Sequence, residues 1–405
     1  MRIVHTSDWH LGHTLRGEVT RELEHQAFLD WLHDTCVREA ADVLVITGDV
    51  FDSATPPASA ERMWFELLAG LRRAMPALDV IAIAGNHDSP ARLGAPSSIL
   101  RELGLHVIGG LPRRDGAIDL DRVVIEVAGG RGLVAAVPFL RPVDVPAEVE
   151  DPLAAVYGEV IAGARARRRP DQALIVTGHL YLAGADVQYL SERRVTIGGQ
   201  ESAPLRLFPE DLSYVALGHI HRAQRVGRDT IRYAGAPIAL SMDEGSYKHQ
   251  VLVIDFDGPR VAQIRPLAIP RAVEILRIPA RGAAPLAEVM GALDALPPAI
   301  PGDLARPFLE VVVALDKPEP KLRALVETAL DGKRPRLVRL LGELTGHGAA
   351  LGDRVLAQRL AELDPRDVFG RLWSRNHAEP PAPPVLEAFD RLLAEVQGDA
   401  QDVAS

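Results

Sequence analysis

The chain has 405 residues, 47% hydrophobic and 25% charged, which is typical of a globular protein with a large buried core. Its net charge of -10 argues against a basic surface that coats nucleic acid, although a local positive patch or bound metal ions would still allow a nucleic-acid substrate. The single cysteine, Cys36, excludes an internal disulfide and a cysteine-based zinc site. The N-terminal sequence MRIVHTSDWH does not have the pattern of a secretory signal, and no stretch reaches the roughly 20 apolar residues that span a bilayer, so we expect a cytoplasmic protein.

Short β-branched runs bounded by Gly or Asp predict buried strands in the first half of the chain. They are Ile3–Val4, Val43–Ile46, Val80–Ala84, Leu174–Val176 and Val215–Leu217. Between them, residues 22–39 and 58–73 have helical patterns, and the alternation predicts βαβ units on a mostly parallel sheet up to about residue 180. Two later runs, at 231–233 and 250–255, predict antiparallel additions or a second sheet.

The pattern restarts after Pro270 and predicts a small α+β unit. Its predicted order is strand 273–278, helix 285–296, strand 308–315, helix 320–330 and strand 336–340. Farther on, Asp364 followed by Pro365 is a typical helix start. Two helical segments follow, separated by EPPAPP. We therefore predict three parts: residues 1–270, an α+β capping domain at 271–345, and a C-terminal helical segment at 350–398.

Metal-binding side chains stand at the ends of five predicted strands. They occur in Asp8-Trp9-His10, Gly48-Asp49, Gly85-Asn86-His87-Asp88, Gly178-His179 and Gly218-His219-Ile220-His221. Ligands of open α/β sheets bind beyond the carboxyl ends of the strands, so these side chains should converge. Alternation along an extended chain would also aim Asp8 with His10, and His219 with His221, at one point. The preceding glycines allow a sharp turn and a close approach of the backbone.

The residue types predict a dinuclear metal site. Carboxylate, imidazole and amide oxygen without thiolate suit Mn, Fe or Zn ions. The seven candidate ligands, too many for one ion, suit two ions that share a bridging carboxylate: Asp8, His10, Asp49, Asn86, His179, His219 and His221. Taken singly, Gly48-Asp49 would be a turn and His179 a buried core histidine. Their order at successive strand ends favours the metal site, and the chemistry indicated is hydrolysis of a phosphate ester.

The other charged clusters and histidines have ordinary structural interpretations. Arginines at 165–169, 193–194, 222 and 225 are expected to form solvated faces. The remaining histidines do not follow strands in this way, and we interpret them as background: His5, His13, His25, His33, His106, His249, His347 and His377.

The ordered motifs D-x-H, GD, GNHD, GH and GHxH resemble the signature of the calcineurin-like metallophosphoesterase family. Within it, the chain is similar to bacterial nuclease subunits that work with an SMC-like ATPase. The stretches that carry this similarity are RIVHTSDWHLGHTL, TGDVFDSATPP, AGNHDSPARL and LFPEDLSYVALGHIHRAQ. The similarity extends firmly over residues 1 to about 256 and more weakly beyond.

The resemblance implies an α/β metallophosphoesterase fold, a two-sheet β-sandwich flanked by helices, with a smaller α+β cap and C-terminal helices. It implies that Asp8, His10, Asp49 and His221 hold one metal ion, and that Asn86, His179 and His219 hold the other, with Asp49 bridging. His87 would face the substrate phosphate, stabilising the transition state or protonating the leaving oxygen. Asp88 would orient that imidazole or its surroundings.

The resemblance also implies biological roles. They are dependence on two divalent ions, manganese above all, and endonuclease and exonuclease action on double-stranded DNA ends and hairpins in DNA repair and recombination. The implied assembly is a homodimer within a heterotetramer that contains the SMC-like ATPase, with no membrane association. Two alternatives stay open: a phosphoesterase acting on a small nucleotide, and a non-catalytic scaffold for the ATPase. The long extension after Pro270 argues against the first, and the complete ligand set against the second.

The two C-terminal helical segments carry apolar stripes at helical spacing. The first stripe comprises Val368, Phe369, Leu372 and Trp373, and the second Val385, Leu386, Phe389, Leu392, Leu393 and Val396. One interpretation is that both pack on the chain's own domains. The other, which we favour, is that they dock on the coiled coil of the ATPase, with Trp373 and Phe389 as aromatic anchors.

Overall fold

The computed structural model describes residues 1–17, 19–146, 149–186 and 202–344, together with positions 369, 373, 381, 385, 386 and 389. The chain divides into two units, Met1–Thr345 and Gly346–Ser405. Most of the predicted C-terminal helical segment therefore lies outside the described residues. In its described positions, Phe369 stacks on Phe389 with ring centres 4.3 Å apart and also contacts Trp373.

The strands and helices of the first unit have the following bounds. The strands are β1 (Arg2–Thr6), β2 (Thr14–Leu15), β3 (Val19–Thr20), β4 (Val43–Thr47), β5 (Asp79–Ile83), β6 (Leu105–Ile108), β7 (Arg113–Arg114), β8 (Ala117–Ile118), β9 (Val124–Val127), β10 (Gly132–Ala135), β11 (Ala173–His179), β12 (Tyr214–Gly218), β13 (Gln224–Val226), β14 (Arg228–Tyr233), β15 (Gln250–Asp257), β16 (Arg260–Ala268), β17 (Ile275–Ile278), β18 (Ala284–Pro285), β19 (Phe308–Leu315) and β20 (Arg336–Leu344). The helices are α1 (Glu22–Arg38), α2 (Ala58–Ala74), α3 (Pro90–Gly94), α4 (Ser97–Glu102), α5 (Leu120–Val123), α6 (Pro152–Arg167), α7 (Leu286–Asp294) and α8 (Leu322–Ala329).

Two six-stranded sheets form the main body. The first has the order β16-β15-β1-β4-β5-β6, with β1, β4, β5 and β6 parallel and β15 antiparallel to β1. The second has the order β13-β14-β12-β11-β10-β9, with β10, β11, β12 and β14 parallel. The expected two-sheet sandwich is thus confirmed. The simpler prediction of βαβ units on one sheet up to residue 180 was wrong, because β9, β10 and β11 belong to the second sheet.

Alternation along the strands of the first sheet explains the layers. Ile3, Val45 and Ile81 pack against the second sheet, in one apolar cluster with its residues. Their neighbours Val4 and Leu44 face the other way and pack on α1 and α2. Since successive side chains of a strand point to opposite faces, a run of five apolar residues is buried on both sides.

The predicted elements after Pro270 form a third, smaller sheet. Strand β19 pairs in parallel with β17, β18 and β20, and α7 and α8 pack on this sheet through their apolar residues. This sheet belongs to the same unit as the two larger ones. The boundary at residue 270 stays a prediction. Among the described residues, no helix has both the length and the apolar character needed to cross a membrane.

Candidate active site

The strands β1, β4 and β5 of the first sheet and β11 and β12 of the second bring their carboxyl ends to one place. The loops after β1 and β4 are joined by backbone bonds from Asp8 N to Gly48 O (3.0 Å) and from His10 N to Asp49 O (2.9 Å). Asp8, His10, Asp49 and His219 have φ values of 55°, 49°, 48° and 96°. This left-handed backbone is uncommon outside glycine and concentrates at functional sites. The ligand loops are therefore not the extended chain that the alternation argument assumed.

Six of the seven predicted ligands form two compact groups. The first group is Asp8, His10 and His221, and the second is Asp49, His179 and His219. Within each group, one ligand atom of every residue lies within 4.8 Å of those of the other two. The pairing of Asp8 with His10 is as expected from their spacing. The prediction that His219 and His221 aim at one point was wrong: the backbone turns at His219, and the two histidines belong to different groups.

Asp49 belongs to the second group and also lies close to His10 of the first. Its Oδ2 is 3.5 Å from His10 Nε2 and 3.3 Å from His179 Nε2. Its Oδ1 accepts a hydrogen bond of 2.8 Å from the backbone N–H of His87. One oxygen is thus fixed by the backbone while the other lies between histidines from the two sheets.

Asn86, the seventh predicted ligand, lies against the second group. Its side-chain Oδ1 is 2.9 Å from His179 Nε2 and 3.0 Å from His219 Nδ1. The amide oxygen therefore meets the two imidazoles at a shared point beside Asp49.

Three of the imidazoles are held by oxygens of the surrounding protein. The bonds are His10 Nδ1 to Asp52 Oδ1 (3.2 Å), His179 Nδ1 to the Thr47 carbonyl (2.8 Å) and His221 Nδ1 to Glu244 Oε1 (3.1 Å). Such bonds fix the tautomer of metal-binding histidines and make Nε2 the ligand atom.

The buried Nε2 of His10 provides a test of whether a metal fits. This nitrogen has no hydrogen-bond partner among the residues that the structure describes, although the side chain is almost fully buried. An unpaired buried nitrogen is costly, and a cation at the first group would satisfy it. Together with the nearby carboxylates, this donor set fits a divalent ion.

Two of the predicted glycines are required by close approach. A Cβ at Gly85 would lie 2.1 Å from Asp49 Oδ1, and a Cβ at Gly218 would lie 1.9 Å from the Thr47 carbonyl oxygen. Any side chain at either position would displace the loops that carry Asp49 and His179.

The electrostatics of the second group are those of a cation site. Burial raises the pKa of Asp49, but the neighbouring His179 outweighs it and brings the pKa well below the usual value. Burial lowers the pKa of His179, but the charge of Asp49 outweighs this effect and raises the pKa to about 9. Burial lowers the pKa of His219 to about 3, so this imidazole stays neutral and able to bind a metal.

His87 lies at the open side of the site. It is half-buried, its ring meets the His10 ring edge-on at 4.7 Å, and its Nδ1 donates to the Asp52 carbonyl at 2.8 Å. The same imidazole forms a further compact group with His10 and Asp49.

Asp88 acts on the surroundings of the site. Its buried carboxylate accepts backbone N–H bonds of 2.9–3.1 Å from Val50, Phe51 and Gly85, which tie the loops after β4 and β5 together. Burial, and then the charge of Asp49, raise the pKa of Asp88 to about 6. Asp88 therefore contacts the loops, whereas the backbone carbonyl of Asp52 contacts the His87 imidazole.

Three residues outside the predicted ligand and catalytic sets support the site. Asp52 Oδ1 lies 3.2 Å from His10 Nδ1 and 2.9 Å from His13 Nδ1, so His13 contacts the carboxylate that holds a candidate ligand. Glu244 is fully buried, and its Oε2 also accepts from Leu240 N at 2.9 Å. Asp52 stands three residues after Asp49 in GDVFD, whereas the role of Glu244 depends on its contact with His221, 23 residues away.

The other ionic residues behave as interpreted. His5 is a satisfied core histidine, 3.0 Å from both Tyr214 Oη and Thr47 Oγ1. The arginines at 165, 167 and 169 pair with surface acids. The pair at 193–194 and the histidines at 347 and 377 lie outside the described residues.

Comparison with known families gives two matches. The profile of the calcineurin-like phosphoesterase family matches residues 1–223, more than half of the chain. The profile described as Type 5 capsule protein repressor C-terminal domain matches residues 271–377.

Several curated relatives are SbcD proteins, the D subunits of the nuclease SbcCD. The SbcD protein from Rhodobacter capsulatus is 42% identical over 358 residues, covering 84% of this chain and 87% of the relative. The Escherichia coli K12 protein is 35% identical over 67% of this chain and 68% of its own length. The Bacillus subtilis protein is 36% identical over 63% of this chain and 66% of its own length.

Replacement of Asp49 by alanine is expected to remove binding at both groups and abolish phosphodiester hydrolysis, because its carboxylate belongs to the second group and lies close to His10 of the first. Elemental analysis and hydrolysis of bis-p-nitrophenyl phosphate with Mn²⁺ measure the two effects. The matched control is Asp42→Ala, which lies just before the other end of β4. Wild-type manganese-dependent hydrolysis by Asp49→Ala would rule out a bridging role.

His87→Ala is expected to keep its metal content and lose turnover by roughly 10²–10⁴-fold, the contribution of a positioned proton donor. Elemental analysis and steady-state kinetics separate the two effects, and His33→Ala, a half-buried histidine of α1 outside the site, serves as the control. Loss of metal in step with activity would instead make His87 a ligand.

Proposed function

The chain belongs to the calcineurin-like phosphoesterase family and, within it, to the SbcD family of nuclease subunits, and from this we propose that it is the nuclease subunit of an SbcCD complex. The proposed reaction is metal-dependent hydrolysis of phosphodiester bonds at double-stranded DNA ends and hairpins. The proposed partner is the SMC-like ATPase SbcC, in a heterotetramer built on a homodimer of this chain. Such a complex would act in DNA repair and recombination in the cytoplasm.

The observation that carries this proposal is the pair of adjacent ligand groups, because Asp49 of the second group also lies 3.5 Å from His10 of the first. Asp8, His10, Asp49 and His221 would hold one ion, and Asn86, His179 and His219 the other, with Asp49 shared. Imidazole, carboxylate and amide oxygen suit Mn²⁺, which is the metal we propose. When bound, two such ions supply a nucleophile at neutral pH and neutralise charge on the phosphoryl group.

His87 is the residue we assign to proton transfer. Its Nδ1–H is committed to the Asp52 carbonyl, so Nε2 is the atom that would face substrate. In its protonated form it would donate from Nε2 to the leaving oxygen or to a phosphoryl oxygen. The backbone carbonyl of Asp52 orients this ring, and Asp88 holds the loop that carries it through the Gly85 N–H.

Substrate class is tested with labelled linear duplex DNA, DNA hairpins and a panel of cyclic and small nucleotides, each with Mn²⁺. We expect cleavage of the two DNA substrates, stimulated by SbcC and ATP. Preferential hydrolysis of small nucleotides would support the alternative phosphoesterase. Absence of hydrolysis of any substrate by metal-loaded protein would support a scaffold.

A chain truncated after Gly352 should retain metal-dependent hydrolysis of bis-p-nitrophenyl phosphate and lose co-purification with SbcC, because it keeps the whole first unit and removes the aromatic cluster of Phe369, Trp373 and Phe389. Circular dichroism verifies that the truncated chain is folded. Full-affinity binding to SbcC would contradict the docking role. As a matched control, Leu344→Ala changes an exposed side chain at the end of β20 and should preserve binding.

A further inference from the structure

A short segment, residues 241–246, links the candidate metal site with the smaller sheet. Its single 3-10 turn, Met242–Ser246, lies between β14 and β15. Glu244 faces the site: it is fully buried, and its Oε1 lies 3.1 Å from His221 Nδ1. The segment therefore carries the carboxylate that orients one of the candidate ligands.

The adjacent residue, Asp243, bonds to the smaller sheet. Arg339 on β20 donates to its two carboxylate oxygens at 2.8 and 2.6 Å, a bidentate pair. Arg339 also donates through Nε to Glu310 on β19, and Glu310 accepts a second bond, 2.9 Å, from Arg277 on β17. A chain of ion pairs through three strands of the smaller sheet thus ends at Asp243, which only Arg339 of these residues contacts directly.

Apolar contacts with the smaller sheet also hold this segment. Met242 packs in a cluster with Leu15, Val273, Phe308 and Val338, which draws residues from both the main body and the smaller sheet. The Gly245 carbonyl accepts a bond of 2.6 Å from Arg271, and a Cβ at Gly245 would lie 3.1 Å from Ile275. The segment has little room to move independently of the sheet.

We propose that Asp243 and Arg339 are positioning residues that hold Glu244, and through it His221, in the geometry required by the first ion. Asp243 and Glu244 are neighbours on one turn, so displacement of the first changes the direction of the second. The smaller sheet would then control the affinity of the first group for its metal without touching the metal. This inference rests on the proposed two-metal function.

The test is Mn²⁺ binding to the full-length protein. Electron paramagnetic resonance of free Mn²⁺ and isothermal titration calorimetry measure the affinity for each ion. Asp243→Asn keeps the shape of the side chain and removes its charge, and we expect about 3- to 10-fold weaker binding of one of the two ions, the size of an indirect coupling. Glu244→Gln acts on the imidazole directly and should weaken the same ion by roughly 10- to 100-fold. In the double variant, Asp243→Asn should add little to the effect of Glu244→Gln.

The matched control is Asp303→Asn, which breaks a comparable 2.8 Å ion pair with Arg334 before β19 and β20. It should bind both ions as the wild type does. Wild-type affinity in Asp243→Asn, an equal loss in Asp303→Asn, or full additivity with Glu244→Gln would each overturn the inference. If one of these outcomes occurs while the wild-type protein still binds two ions, the inference fails and the proposed function stands. If it binds none, both proposals fail.

Discussion

A single buried carboxylate, Asp49, stands between histidines delivered by two different sheets. Its Oδ2 faces His10 from the first sheet and His179 from the second, while the backbone of His87 fixes its other oxygen. The site therefore exists only if the carboxyl ends of both sheets meet. The sandwich, with its apolar layer between the sheets, provides that meeting.

The strain in the ligand loops depends on this constraint. Four non-glycine residues adopt left-handed backbone, at a cost of about 1–3 kcal/mol each where the conformation is strained. Such conformations persist when the surroundings determine them several times over. Here three features stabilise the loop conformations. They are the backbone bonds between the loops after β1 and β4, the three backbone bonds to Asp88, and the absence of a Cβ at Gly85.

The sequence predicted ten of the twenty described strands and the convergence of five strand ends, because short apolar runs followed by metal-binding residues are a local signal. Which sheet each strand joins is not local, so β9 to β11 could not be assigned from periodicity. Alternation paired Asp8 with His10 although the chain there is not extended, and it failed at His219, where the backbone turns. Glu244 could not be found: its role depends on a contact with His221, 23 residues away along the chain, and on the packing of the smaller sheet.

The proposed mechanism requires that two ions share Asp49. Crystals grown with Mn²⁺, with diffraction data collected on both sides of the manganese absorption edge, test it most directly. We expect two anomalous peaks roughly 3.5–4 Å apart, on either side of the Asp49 carboxylate. One peak, or two peaks of which neither contacts Asp49, would contradict it.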